Sequence, residues 1–327
     1  MRGTPGVSEA AAPDFLPHFP VRLPVPDLRP WRAGNLMEGV WSFTAEAPGP
    51  HVVLVSLIHG NEFAGASLLV RWLEQGLRPA RGRLTLVFAN LAAFARFNPA
   101  DPTLSRFLDE DMNRVWSDRV LQGHRHSREL DRARALCPLL DSADLLLDLH
   151  SMLWPSDPLL ITGTPRRALR LGARLGIPSL VVADEGHSTG LRLIDRPGFA
   201  DPAGGRTALL VEGGQHWEPE TLATLEACAT ALLRESGCVD FPAPSPPPAP
   251  RLAEVTQTVV ARTHGFAFVQ PFRGGTVIPA RNTLLALDGE AEIRTPHDDC
   301  LLVMPTPRTM RGHTAVRLAR FLSPGEI

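Results

Sequence analysis

The sequence predicts an α/β domain with a largely parallel or mixed sheet flanked by helices, followed by a small all-β domain. Three observations carry this reading. Short, nearly continuous apolar runs, such as His51 to Ile58, fit strands buried on both faces. Stretches with apolar residues at helical spacing separate those runs, and strands alternating with helices indicate a sheet with helices packed on it. Finally, the Pro-rich segment 242–250 reads as a stiff linker, and the chain beyond it carries only short strand candidates punctuated by glycine.

Residues 1–32 are Pro-rich and aperiodic, an irregular arm ordered in part against the body. Residues 33–241 form the main domain. After the strand at 51–58, Phe63, Ala66, Leu69, Val70 and Leu73 recur at helical spacing until Gly76 stops the helix. A second strand spans 84–90. Residues 91–123 read as a long loop of the kind that often carries function. A helix over 127–140 leads to a third strand, 143–150. Strands at 159–162, 179–183 and 207–212 follow, with helices at 166–175 and 219–235. Residues 251–327 form the small β domain, with strands expected at 255–261, 267–271, 283–287 and 300–304.

The composition excludes several chemistries. The 327 residues include no Lys and no Tyr, so Schiff-base catalysis, a P-loop lysine and a catalytic tyrosine are ruled out. A net charge of -2 gives no bulk attraction to nucleic acid or acidic membranes. The four cysteines form no C-x-x-C pair and read as reduced thiols. The first residues lack the basic and apolar regions of a signal peptide, and no apolar run is long enough to span a bilayer. A cytoplasmic enzyme is the resulting expectation.

The strongest motif is His59-Gly-Asn-Glu62, where a buried strand gives way to a helix. Strand carboxyl ends are where open α/β sheets place their sites. An imidazole and a carboxylate three residues apart can grip one ion, although a structural His beside a helix start would look the same. His150 ends a second buried strand, and two converging strand ends favour a metal over a core histidine. Three protein ligands leave a position free for water, the pattern of catalytic zinc. Glu212 ends the run Ala-Leu-Leu-Val-Glu, an expensive place for an idle charge. It is assigned as the general base towards water and then the acid towards the departing nitrogen; a salt-bridged strand-end Glu is the bland alternative.

The segment from Arg106 to Arg114 is dense in charge. Read blandly, it is a solvated loop. Read chemically, Asn113 and Arg114 suit a substrate carboxylate, Arg106 could polarise the scissile carbonyl, and Asp111 could accept from the outer nitrogen of His59. Gly123-His-Arg-His-Ser127 reads as a solvated loop. Asp184 to Gly190 lacks a nucleophile elbow and reads as a loop near the pocket with Gly186 and Gly190 as hinges. His216-Trp217 reads as packed aromatics.

Together, His-Gly-Asn-Glu, Arg-x-x-x-x-Asp-x-Asn-Arg, Asp-Leu-His and Val-Glu-Gly-Gly resemble the succinylglutamate desuccinylase / aspartoacylase family over about residues 50–215. That family has the zinc-carboxypeptidase-like fold, and its C-terminal β domain partly covers the active site. The resemblance implies one zinc ion per chain at His59, Glu62 and His150. It implies Glu212 as base, Arg106 on the carbonyl, Asn113 and Arg114 on a carboxylate, and Asp111 behind His59. The implied reaction is hydrolysis of a small N-acyl amino acid or related carboxylate-bearing amide; charge and hydropathy predict no nucleic-acid or membrane partner, and a homo-oligomer is left open. The family tyrosine that aspartoacylase uses has no counterpart here, so the resemblance does not extend to acetylaspartate specificity. Arg192 and Arg206 are candidates for holding a second carboxylate. Two other functions remain: a zinc carboxypeptidase acting on small peptides, and a non-catalytic metal or carboxylate binder. The presence of Glu212 speaks against the second. Mn²⁺, Co²⁺ or Ni²⁺ would fit the same ligands.

Overall fold

The computed structural model describes residues 19–187, 189–242 and 249–326. The expected arm up to residue 18 and most of the Pro-rich linker lie outside the described residues. The strands are β1 (Val40–Thr44), β2 (His51–Ser56), β3 (Arg83–Phe88), β4 (Leu145–Met152), β5 (Leu159–Thr162), β6 (Leu180–Ala183) and β7 (Thr207–Gln215). They continue with β8 (Arg251–Val260), β9 (Phe266–Phe268), β10 (Val277–Ile278), β11 (Leu284–Asp288), β12 (Ala291–Arg294), β13 (Cys300–Val303) and β14 (Thr314–Phe321). The helices are α1 (Ala64–Glu74), α2 (Leu91–Phe94), α3 (Asp118–Leu121), α4 (Arg128–Leu140), α5 (Arg166–Leu175), α6 (Pro197–Ala200) and α7 (Pro219–Glu235).

Eleven strands form one mixed sheet in the order β1-β3-β2-β4-β7-β5-β6-β8-β14-β13-β10, and β12-β11-β9 form a separate small sheet. The centre, β3-β2-β4-β7, is parallel. Its apolar runs divide by the period of two expected for strands. Val52, Leu54, Leu147, Leu149, Leu209 and Val211 pack into one core with α1, α5 and α7. Val53, Val55, Leu146, Ala208 and Leu210 pack into a second core with α4. Asp148, His150 and Glu212 share the parity of Leu146, Ala208 and Leu210, so this period carries them to the second face.

The C-terminal segment is joined to the main sheet. β8 pairs in parallel with β6, Leu180 opposite Arg251, and β14, β13 and β10 extend the sheet from there. Residues 91–123 are more ordered than expected. Asn90 caps α2 through Ala93 N, Ser117 caps α3, and a 3₁₀ turn spans Met112–Arg114. Within the arm, Leu23 and Leu28 are buried, and Arg22 N and Leu23 N donate to Trp217 O at 3.2 and 2.7 Å. All four cysteines are free. Among the described residues, no helix is long and apolar enough to cross a membrane.

Candidate active site

The site sits at the carboxyl ends of β2, β4 and β7. Beyond β2 the chain turns through Leu57 in the left-handed region (φ 59°) and delivers His59. Gly60 lets it pass between two segments: a Cβ there would meet Phe94 N and Ser105 O at 2.5 Å. Glu62 then sits immediately ahead of α1. Register sets the rest, because His150 on β4 lies directly opposite Glu212 on β7.

His59, Glu62 and His150 converge. Their donor atoms all lie within 4.8 Å of one another, and all three side chains are buried. His59 Nδ1 is 2.8 Å from Glu62 Oε1, and His150 Nδ1 is 3.0 Å from Glu62 Oε2. Ser151 N also donates to Glu62 Oε2 at 3.0 Å. Each imidazole turns its other nitrogen to a carboxylate. His59 Nε2 is 2.9 Å from Asp111 Oδ1. His150 Nε2 is 2.9 Å from Asp148 Oδ2, an ion-pair distance whose angles fall outside hydrogen-bond geometry. Asp148 is fully buried, and among the described residues neither of its oxygens has a hydrogen-bond partner. Imidazoles backed by carboxylates are the usual environment of metal-ligating histidines. The donor set of two nitrogens and a carboxylate also suits zinc. Orphaned polar atoms beside it fit an ion that would reorganise the group, so the residues present match the metal that the sequence implies.

The charges agree with this. Burial acts to raise the pKa of Glu62, but His59 and His150 hold it well below the usual carboxylate range. Burial opposes charge on His150, and Asp148 and Glu62 outweigh it, raising its pKa well above the ordinary value. Glu212 goes the other way. Burial pushes its carboxyl up to about 8, His150 and Arg106 pull it down, and Glu62 and Asp148 push it further up. Its Oε2 is buried without a hydrogen-bond partner among the described residues. A buried carboxyl with a pKa near neutrality, beside a candidate metal group, is suited to carrying a proton.

Arg106 reaches in from the loop before the 3₁₀ turn. It donates through NH1 to Glu62 Oε1 at 2.9 Å and through NH2 to Asp111 Oδ2 at 3.3 Å. Asp111 caps the turn through Asn113 N at 2.8 Å. His59, Arg106 and Arg114 hold its carboxyl well below the usual range against the effect of burial. Asn113 is buried. Its Oδ1 accepts from Leu193 N at 2.9 Å, which leaves Nδ2 without a partner among the described residues. Arg114 NH1 donates to the Asn113 carbonyl, and its NH2 comes only within 4.0 Å of Asp111. Burial lowers the Arg114 pKa to about 10; Asp111 opposes this, while Arg106, Arg317 and Arg192 add to it.

Arg317 on β14 is a residue that the sequence reading missed. It is 6% exposed, yet its Nε lies 3.0 Å from Asp184 Oδ2 without hydrogen-bond geometry, and NH2 donates to His187 at 2.8 Å. Burial and then Arg317, Arg114 and Arg192 drive His187 down to about 2, so it is a neutral acceptor. Glu212 is close enough to act on Arg317 in turn. The two arginines suggested by sequence are committed elsewhere. Arg192 is satisfied by Asp195 (2.7 and 3.0 Å), by Asp184 Oδ2 (2.7 Å) and by the Asp184 carbonyl (2.9 Å). Arg206 bonds the Asp141 carbonyl and covers Phe199.

Local contacts hold the remaining sequence motifs. Gly186 and Gly190 are wedged: a Cβ would meet Asp195 Oδ2 at 2.7 Å and Arg114 O at 2.2 Å, respectively. Buried His216 bonds Ser151 Oγ at 2.7 Å, and Trp217 Nε1 donates to Asn61 O at 2.9 Å. His126 is exposed and pairs with Asp131.

A buried His-Glu-His group at the carboxyl ends of the strands of a mixed sheet places the chain among α/β enzymes with a candidate metal centre. The chain belongs to the succinylglutamate desuccinylase/aspartoacylase family, whose catalytic-domain model matches residues 48–233. That family deacylates N-acyl amino acids. Solved structures of succinylglutamate desuccinylase from Vibrio parahaemolyticus and Vibrio cholerae share the fold. Each superposes with a TM-score of 0.67 at 19% identity, covering 88% and 87% of this chain and 87% and 86% of theirs. A curated relative, the N-acyl-aromatic-L-amino acid amidohydrolase (carboxylate-forming) of Xenopus laevis, is 31% identical over 113 residues. That match spans 32% of this chain and 35% of the relative, about a third of its length.

Proposed function

We propose that this chain is a mononuclear zinc amidohydrolase acting on an N-acyl amino acid that carries a second anionic group. The observation behind it is the convergence of His59, Glu62 and His150, with both imidazoles facing Glu62 through Nδ1 and carboxylates through Nε2. These three residues would hold the ion, one per chain. The ion would act as a Lewis acid on the amide carbonyl and make water a better nucleophile.

The protein groups then divide the work. Arg106 faces the carbonyl oxygen and stabilises the negative charge that develops there. Glu212 takes a proton from the attacking water as the C–O bond forms. It returns that proton to the amide nitrogen as the C–N bond breaks, releasing the carboxylic acid and the free amine. Arg114 and the free amide N–H groups of Asn113 bind the amino-acid carboxylate. Arg317, which donates to neutral His187, binds the second anionic group. Along the chain, residues 33–241 act as the catalytic unit and residues 251–327 as the β unit that supplies Arg317.

The Xenopus relative, named for N-acyl-aromatic amino acids, supports a second reading with a monocarboxylate substrate. The incompletely paired Arg317 beside Arg114 favours the diacid. Amine release from a panel of N-acyl amino acids, with and without chelator, separates the two. Activity that is lost on chelation, restored by Zn²⁺ and highest on diacids supports the proposal. Zinc bound at one equivalent with no turnover of any panel member would sink the substrate class.

A further inference from the structure

Glu129, the second residue of α4, has no part in that chemistry, yet it is completely buried. Among the described residues, its carboxylate forms no ion pair. Instead, Oε1 accepts from Leu108 N at 2.7 Å and Asn90 Nδ2 at 3.0 Å, and Oε2 accepts from Asp109 N at 3.1 Å and Glu110 N at 3.3 Å. Three consecutive backbone N–H groups thus converge on one side chain. Such a cluster of N–H groups binds an anion, and a buried carboxylate persists only where hydrogen bonds replace its water.

The grip is reciprocal. Asp109 Oδ2 accepts from Arg128 N at 2.8 Å, and Glu110 accepts from Ser127 Oγ, the cap of α4. The three gripped residues are part of the link between Arg106 and Asp111. On one side of them, the Arg106 carbonyl accepts from Gly60 N at 2.9 Å. On the other, Asp111 Oδ1 meets both His59 Nε2 and Asn113 N. The loop is therefore held on one side by α4 and on the other by the candidate metal group.

We propose that Glu129 is a positioning residue. By clamping the loop backbone to α4, it sets where Arg106 stands over the carbonyl and where Asp111 stands behind His59. This deepens the hydrolase reading and rests on it. Misplacing a reacting group by about an ångström can cost on the order of a hundredfold in rate, and loss of a carboxylate behind a metal-ligating histidine costs about 10–100-fold in metal affinity.

Glu129→Gln is the direct test, because an amide N–H would then face backbone N–H groups. The readouts are zinc affinity, kcat and KM of the zinc-loaded enzyme, and amide hydrogen exchange of peptides covering 106–112 and β4. Expected are exchange at least tenfold faster in the loop with β4 unchanged, zinc affinity weaker by about tenfold or more, and kcat reduced about 10–100-fold with KM within a few-fold. Faster exchange in the loop and in β4 alike, or loop exchange alone with zinc affinity and kcat unchanged, would reduce Glu129 to a structural group and overturn the proposal. Should the variant fail to fold, the double variant Asp109→Ala, Ser127→Ala loosens the same contact from its more exposed side. It must move the same readouts in the same direction, and unchanged kcat and zinc affinity overturn the proposal. Absence of turnover by the wild type would refute the hydrolase reading alone, since exchange and zinc affinity would still decide the role of Glu129.

Discussion

Glu212→Gln should make this protein a poorer catalyst and, without metal, a more stable fold. The catalytic loss is about 10² or more in kcat, the size expected for removing a general base. The stability gain follows from the titration of Glu212, whose carboxyl rises from 4.5 to about 8 on folding. A carboxyl with a higher pKa in the folded state is tolerated best when protonated. Below pH 4.5 both states hold the proton, and the site costs nothing extra. Between 4.5 and about 8 the unfolded chain ionises while the folded one keeps its proton, so stability falls as pH rises. Above 8 both states are ionised, and the cost stays at its full value. With about 1.36 kcal/mol lost for each pH unit between those two values, the wild type gives up on the order of a few kcal/mol across that window. The amide of the variant cannot ionise and escapes this loss, while the other groups titrate in both proteins. Urea unfolding of chelator-treated protein at pH 5 and pH 8 measures the difference. The variant's advantage should be small at pH 5 and grow to a few kcal/mol at pH 8. An equal difference at both pH values would show that Glu212 is ionised across the range. The reading of it as a carboxyl that burial keeps protonated in the metal-free fold would then fall.

Three further outcomes are expected. Arg106→Ala should lower kcat by about 10²–10³ with little change in KM, as for loss of one oxyanion donor; steady-state kinetics showing a raised KM at unchanged kcat would reassign it to ground-state binding. Arg317→Met should raise KM for diacid substrates about 10–100-fold, the value of a charged hydrogen bond, and leave monocarboxylates unaffected. An equal effect on both would place Arg317 outside the substrate site. Zinc at about a hundred times its Kd should stabilise the chelated protein by about 2.7 kcal/mol through mass action, read as a higher urea midpoint. His150→Ala should abolish that shift, and a shift that persists would place the ion elsewhere.

What the sequence disclosed follows from where the signal for each element lies. β2, β4, β5 and β7 are short apolar runs buried on both faces, so composition alone located them to within a few residues. The edge strand β1 mixes polar and apolar residues, and β10 is two residues long; neither makes a recognisable run. The loop at 91–123 carried its own signals in Asn90 and Ser117, both helix caps, but four-residue helices have no periodicity to support them. Asp148 was legible in principle. In a strand, Asp-x-His places both side chains on one face, and a carboxylate within Leu-Leu-Leu-Asp-Leu needs a reason for its burial.

Arg317 is different in kind. It interrupts Ala-Val-Arg-Leu-Ala, and in a chain where every basic side chain is Arg, the residue type carries no information. Its place is set by pairing alone: β8 joins β6, and β14 joins β8 with Arg317 opposite Thr258. A guanidinium 130 positions from His187 in sequence thereby reaches the site edge. Slipping β14 by one residue would turn Arg317 to the opposite face. The candidate metal centre is thus written locally, in His-Gly-Asn-Glu and Asp-Leu-His. The proposed second anion contact is written in strand register. Specificity can therefore diverge through the C-terminal strands while the His-Glu-His group stays fixed.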